Sequence, residues 1–123
     1  MEFLRPAIER SHGRWNLRYV LAALCRGDHQ LWVAYEADGT RRGAMTTQIL
    51  EYPCSSWVAV HFLGGDAFEQ WCDAMLDMLE SYAKRLRCDG IETSGRHGFW
   101  PFFKRRGYGR SYTVYDRVFG EES

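Results

Sequence analysis

The spacing of apolar side chains divides this 123-residue chain into helical and extended stretches. Phe3, Leu4, Ala7 and Ile8 recur at helical spacing and predict a short helix over Glu2 to Arg10, with Pro6 near its first turn and Gly13 as its break. Trp15, Leu17, Val20, Leu21 and Leu24 mark one face of a second helix over Arg14 to Cys25, and Gly27 is a natural stop. The period then changes. Leu31 to Glu36 reads as a strand, Asp38-Gly39 as a hairpin turn, and Gly43 to Tyr52 as the returning strand that Pro53 ends. Trp57 to Leu63 is almost continuously apolar, which predicts a central strand covered on both faces.

The best-defined element is amphipathic. From Phe68 through Trp71, Cys72, Met75, Leu76, Leu79, Tyr82 and Ala83 to Leu86, apolar residues follow at steps of three and four. Asp73, Asp77, Glu80, Lys84 and Arg87 fall opposite and predict a solvated face. Asp66 is the expected N-cap, with Glu69 at the capping-box position. Cys88-Asp89-Gly90 turns into a short strand ending at Ser94, a loop follows, and Phe99 to Arg106 forms a last helix stopped by Gly107. Ser111 to Phe119 is expected to close the sheet. The predicted order is α-α-β-β-β-α-β-α-β, a single α/β domain over residues 1–123 with a mixed central β-sheet flanked by helices.

Composition adds limits. At 46% hydrophobic and 26% charged the chain matches ordinary globular proteins, and its formal net charge of zero supplies no global field toward nucleic acid or an anionic membrane. Lys84 and Lys104 are the only lysines, so arginine dominates the cations. No stretch reaches the ~20 apolar residues of a membrane helix. Met1 to Trp15 carries charges throughout, and no signal peptide is expected. Cys25, Cys54, Cys72 and Cys88 are too dispersed for a zinc or redox pair, so reduced thiols and no metal are expected. One local charge bias exists. Arg96, His97, Lys104, Arg105, Arg106 and Arg110 interleave with Phe99, Trp100, Phe102, Phe103 and Tyr108, without an acidic residue between Glu92 and Asp116. Arginine with aromatics favours a protein contact surface, expected at Arg96, Trp100, Lys104, Arg105, Arg106 and Arg110. Nucleic acid is the less favoured partner because no groove-binding motif accompanies the patch.

Strand, Gly64-Gly65, long helix, strand and a short helix ending Phe102-Phe103-Lys104-Arg105-Arg106-Gly107-Tyr108 together resemble the core of the GCN5-related N-acetyltransferase (GNAT) family, over Leu31 to Phe119. The resemblance implies that fold, and acetyl-CoA as cofactor wherever the family's chemistry is kept. Two positions depart. The family's pyrophosphate loop is longer and begins with arginine or glutamine, whereas here Leu63-Gly64-Gly65-Asp66 is the whole expected connection and Asp66 puts a carboxylate where phosphates would lie. At an effective dielectric near 20, two unit charges about 5 Å apart repel by roughly 3 kcal/mol before solvent screening. Phe103 stands where many members carry the tyrosine that protonates the leaving thiolate.

The segment GRHGFWPFFKRRGY is more narrowly similar to small GNAT-like proteins of tailed bacteriophages. That similarity implies a non-catalytic virion or assembly protein, with other virion proteins as partners, found in the host cytoplasm and then in the particle. The alternative is an acetyl-CoA-dependent N-acyltransferase. In it Gly64 and Gly65 amides hold the pyrophosphate, His61 is the only attractive base, with Glu51 and Glu92 weaker, and Tyr108, Tyr112 or Tyr115 is the acid. A third reading makes the fold a scaffold for a small host-interaction or inhibitory protein.

Overall fold

The computed structural model describes residues 3–11, 14–93, 99–109, 117 and 119–120. Two helices come first, α1 (Arg5–Glu9) and α2 (Leu17–Arg26). Asn16 caps α2 by accepting the Tyr19 N–H at 3.1 Å, and Gly27 ends it in the left-handed conformation at φ 80°. Three strands follow as a meander: β1 (Gln30–Tyr35), β2 (Arg41–Glu51) and β3 (Ser56–Gly65). The turn between β1 and β2 is closed by Glu36 N–H to the Thr40 carbonyl at 2.8 Å. The long helix α3 (Phe68–Arg85) crosses to β4 (Gly90–Thr93), and α4 (Trp100–Arg105) comes last among the described elements. The sheet order is β1-β2-β3-β4, antiparallel except for the parallel β3–β4 pair. Ser111 to Phe119, expected as a closing strand, lies almost wholly outside the described residues.

Each face of the sheet has its own core. On one, Met45, Val58, Val60 and Leu63 pack against Phe68, Trp71, Cys72, Met75, Leu76 and Leu79 of α3 and Phe103 of α4. On the other, Ala44 and Phe62 pack against Leu4, Ile8 and Val20 from the N-terminal helices. β3 is therefore central and covered on both sides, as its apolar run predicts.

The pleat of β3 contains one fault. Thr46 pairs with Phe62 but Thr47 pairs with Val60, so His61 is an extra residue on β3. Such a bulge turns two successive side chains toward one face and restarts the alternation. Val60 and Leu63 consequently share the α3 face although they stand three positions apart, while His61 and Phe62 lie together on the other, ring centroids 6.0 Å apart.

The β3–α3 junction departs from expectation. Gly64 and Gly65 are no loop; they extend β3 and pair with Ala44 and Gly43 of β2. Close approach explains the glycines. A Cβ on Gly64 would come within 1.9 Å of the Phe3 carbonyl oxygen, and one on Gly65, at φ 148°, within 2.4 Å of the Arg42 carbonyl oxygen. Only Asp66 and Ala67 connect strand to helix. Nor is Asp66 the N-cap. Its N–H donates to the Arg42 carbonyl at 2.8 Å and its carbonyl accepts the Trp71 indole N–H at 2.7 Å, so its N–H is still bound to β2. Ala67 takes the cap position at φ 51°, without a side-chain cap.

Candidate functional site

His61 is brought into a polar group on the α2 face. Its Nε2 is 2.6 Å from Gln48 Oε1; with that oxygen as acceptor, Nε2 carries the proton and Nδ1 keeps the lone pair. Its ring stacks on His29, with centroids 4.8 Å and planes 19° apart. Trp15 closes on both imidazoles, edge-on to His61 at 6.0 Å and tilted over His29 at 5.2 Å. His29 is only 4% exposed, and its Nδ1 finds no hydrogen-bond partner among the described residues. A cavity of about 400 Å³ opens beside the pair, bounded by Trp15, Arg26, Asp28, His29, Gln30 and Gln48 among others.

Both imidazoles are held below their ordinary value of 6.5. For His61 the causes are burial and then His29, opposed by Glu92. Burial dominates for His29 too, opposed by the neighbouring Gln48 side chain and Asp28, with Arg26 adding to the lowering. Neutral rings at physiological pH are the consequence, and a neutral imidazole can accept a proton. Gln48, Ala59 and Glu92 form one cross-strand row, so Glu92 belongs to the same face. Its carboxylate accepts the Tyr52 hydroxyl at 2.6 Å. Glu51 stands exposed at the end of β2, paired with Ser56.

The acid of the acyltransferase reading is not brought to this group. Tyr108 packs on Phe103 at 5.2 Å between centroids, within the core on the α3 face, across the sheet from His61. Burial pushes its hydroxyl up to about 12, and that hydroxyl has no hydrogen-bond partner among the described residues. Tyr112 and Tyr115 lie outside the described residues. Phe103 is 5% exposed and serves as core.

The α4 patch is divided in its roles. Arg106, expected at a partner surface, folds back onto α3 instead. Its guanidinium lies 2.7 Å from Glu80 Oε2, against Asp77 Oδ1, and 3.5 Å from Asp73 Oδ1. These hydrogen bonds, Glu80 first, raise its already high pKa further. The carboxylates at steps of four and three on α3 are thus a clasp for α4 on a face that stays solvated, Asp73 and Asp77 being exposed as expected. Lys104 and Arg105 are exposed, Arg105 lying 5.6 Å over the Phe102 ring and 3.6 Å from Asp73. Trp100 is half-buried against the α3 core. Arg96, His97 and Arg110 lie outside the described residues.

Cys72 is buried, Cys88 half-buried, and Cys25 and Cys54 are exposed. Burial raises the Cys72 and Cys88 thiols, so neither is primed as a thiolate. Among the described residues no three His, Cys, Asp or Glu side chains converge as metal ligands, and no helix is long and apolar enough to cross a membrane.

An antiparallel meander, then a crossover helix to a parallel strand, is the architecture that superposes on solved structures. A GCN5-related N-acetyltransferase from Ralstonia eutropha JMP134 superposes with a TM-score of 0.72 at 16% identity, covering 94% of this chain and 88% of that one. The fold is that of the GNAT proteins. Glucosamine-6-phosphate N-acetyltransferase from Arabidopsis thaliana matches with a TM-score of 0.65 at 15% identity over 83% of this chain and 75% of that one. A protein from Bacillus halodurans C-125 described as a transcriptional regulator matches equally, with a TM-score of 0.65 at 17% identity over 89% and 83% of the two chains. No protein-family model matches the sequence, and no curated protein does. A shared GNAT fold at these identities fixes architecture and leaves function to the site.

Proposed function

We propose that this chain is a non-catalytic GNAT-fold protein that works through protein–protein contacts in tailed-phage virion assembly. The β3–α3 junction carries the reading. The diglycine is committed to the β2 ladder, Phe3 lies over Gly64, and two residues remain to join strand and helix. Asp66 just before the cap and Glu69 in the first turn put carboxylates at the positive end of α3, where pyrophosphate would need that field. Phe103 lies in the core and Tyr108 across the sheet, so neither serves His61 as the acid. The phage setting rests on the similarity of residues 95–108 to small phage GNAT-like proteins. Among the described cations of this patch Lys104 and Arg105 are exposed and could meet a partner, Arg105 beside Asp73.

Two measurements test this. Acetyl-CoA is titrated into the chain by calorimetry at low and moderate salt; no binding at millimolar ligand is expected, and micromolar binding overturns the non-catalytic reading. Purified particles of the phage that encodes the chain are analysed by mass spectrometry, together with assembly intermediates. Absence from both overturns the assembly role.

One observation favours the acyltransferase reading: a neutral, half-buried His61 hydrogen-bonded to Gln48 is a competent proton acceptor. On that reading His61→Ala slows acetyl transfer at least ~100-fold, the low end for general-base catalysis. An unchanged rate removes His61 from the chemistry.

A further inference from the structure

Strand β1 ends the sheet, with β2 as its only strand neighbour among the described residues. A bare edge presents a row of unpaired N–H and C=O groups, which sheets usually protect with lysine, proline, a very short strand or a covering segment. Among the described residues none of these protects β1. Gln30-Leu31-Trp32-Val33-Ala34-Tyr35 has no charge, no proline and six residues. The bulge recorded near its end, at the Ala34–Tyr35 step, places the extra residue, Arg42, on β2. Leu31 and Tyr35 are 46% and 61% exposed, conspicuous for apolar side chains two and four positions apart on one strand face with Val33.

The chemistry such an edge demands is another extended strand. Pairing rules then select which register suits a second copy. In an antiparallel ladder directly opposite residues share a face. A two-fold axis perpendicular to the sheet preserves faces, so it must pass through a residue and not between two. Placed at Val33, it sets Leu31 opposite the partner's Tyr35 and Tyr35 opposite the partner's Leu31, covering both exposed side chains twice over. The same axis sets Trp32 opposite the partner's Ala34, large against small, on the α3 face. At the ends Gln30 meets the partner's Glu36, whose carboxylate is already paired with Arg42 at 2.8 Å. No like charges meet across this edge. We infer that β1 is the self-association surface of this chain, joining two copies antiparallel about Val33 into one continuous sheet.

The inference is independent of whether the chain binds acyl-CoA. Its test is the mass of the full chain by sedimentation equilibrium from about 1 to 100 µM, with circular dichroism and thermal melts as a check on folding. Wild type is expected at twice its 14.4 kDa. Leu31→Lys with Tyr35→Lys sets lysine opposite lysine at both exposed pairs and is expected to give a folded monomer. Leu31→Lys with Tyr35→Glu sets opposite charges across the same pairs and is expected to recover the dimer, which a merely apolar patch would not allow. A wild-type monomer at 100 µM overturns the inference, as does a dimer that survives the double-lysine change. Failure of the opposite-charge variant to dimerise overturns the Val33 register.

Discussion

Acidification should loosen this protein well above the pH at which carboxylates titrate, because two imidazoles are stacked at 4.8 Å. Both are lowered in the folded chain, so the unfolded chain takes up protons first as pH falls. Stability from the neutral pair is therefore complete above the unfolded value of 6.5 and is lost as pH drops toward the folded values. A histidine that stays neutral when folded but is ordinary when unfolded costs about 2 kcal/mol at pH 5 relative to pH 7.5. Protonating both folded rings is opposed further: two unit charges 4.8 Å apart repel by about 3.5 kcal/mol at an effective dielectric near 20. Full neutrality of a folded ring at pH 5 sets the ceiling of about 2 kcal/mol for each, so the pair removes stability as pH falls from 7.5 to 5 but less than about 4 kcal/mol of it. For a domain of this size the fall in Tm stays below about 16 °C. Thermal melts followed by circular dichroism at half-unit pH steps read it directly. His61→Gln should flatten the dependence by roughly half, since one titrating partner is gone. A wild-type Tm constant to within about 2 °C over that window, or an unchanged slope in the variant, refutes the account.

Three further outcomes follow from packing and charge. Gly64→Ala forces a Cβ toward the Phe3 carbonyl and should cost about 2 kcal/mol or more, read from the midpoint of urea unfolding. Tyr108→Phe removes a buried hydroxyl that has no partner among the described residues, so stability should be unchanged or raised by up to about 1 kcal/mol; a clear loss would reveal a bond it makes. Arg106→Met unpairs Asp77 and Glu80 and should destabilise by about 1 kcal/mol, a partly exposed ion cluster being weakened by solvent, with the loss shrinking in 1 M salt.

Elements with a strong period are legible in the residues. Steps of three and four from Phe68 to Ala83 reproduce α3, and the apolar run at Trp57 to Leu63 reproduces the covered strand. The ends of elements are less so. Asp66 has the chemistry of an N-cap, but its backbone remains bound to Arg42, and the helix begins two residues later. The diglycine reads as a loop because tight packing beneath Phe3 and beside Arg42 is a property of distant segments. One signal could have located the bulge. Val58 and Val60 share a parity that Leu63 breaks, which a regular strand buried on the α3 face does not allow. His29 had no such signal, since nothing in Asp28-His29-Gln30 announces a ring waiting under Trp15. The Arg106 clasp was half-visible. Its carboxylates were spaced as a stripe, but their arginine comes from 26 to 33 residues further along the chain.

The mixed sheet also imposes an order in time. β1, β2 and β3 are joined by short turns, so their ladders close small loops and can form early. β4 reaches β3 only after α3 has crossed the sheet, as the pairing of Val60 with Thr93 records. Closing that longer loop carries the larger entropic cost. The meander is accordingly the expected folding nucleus. Substitutions in the β2–β3 ladder should slow refolding, while those at Ile91 should chiefly hasten unfolding, a division that the two arms of a chevron plot display.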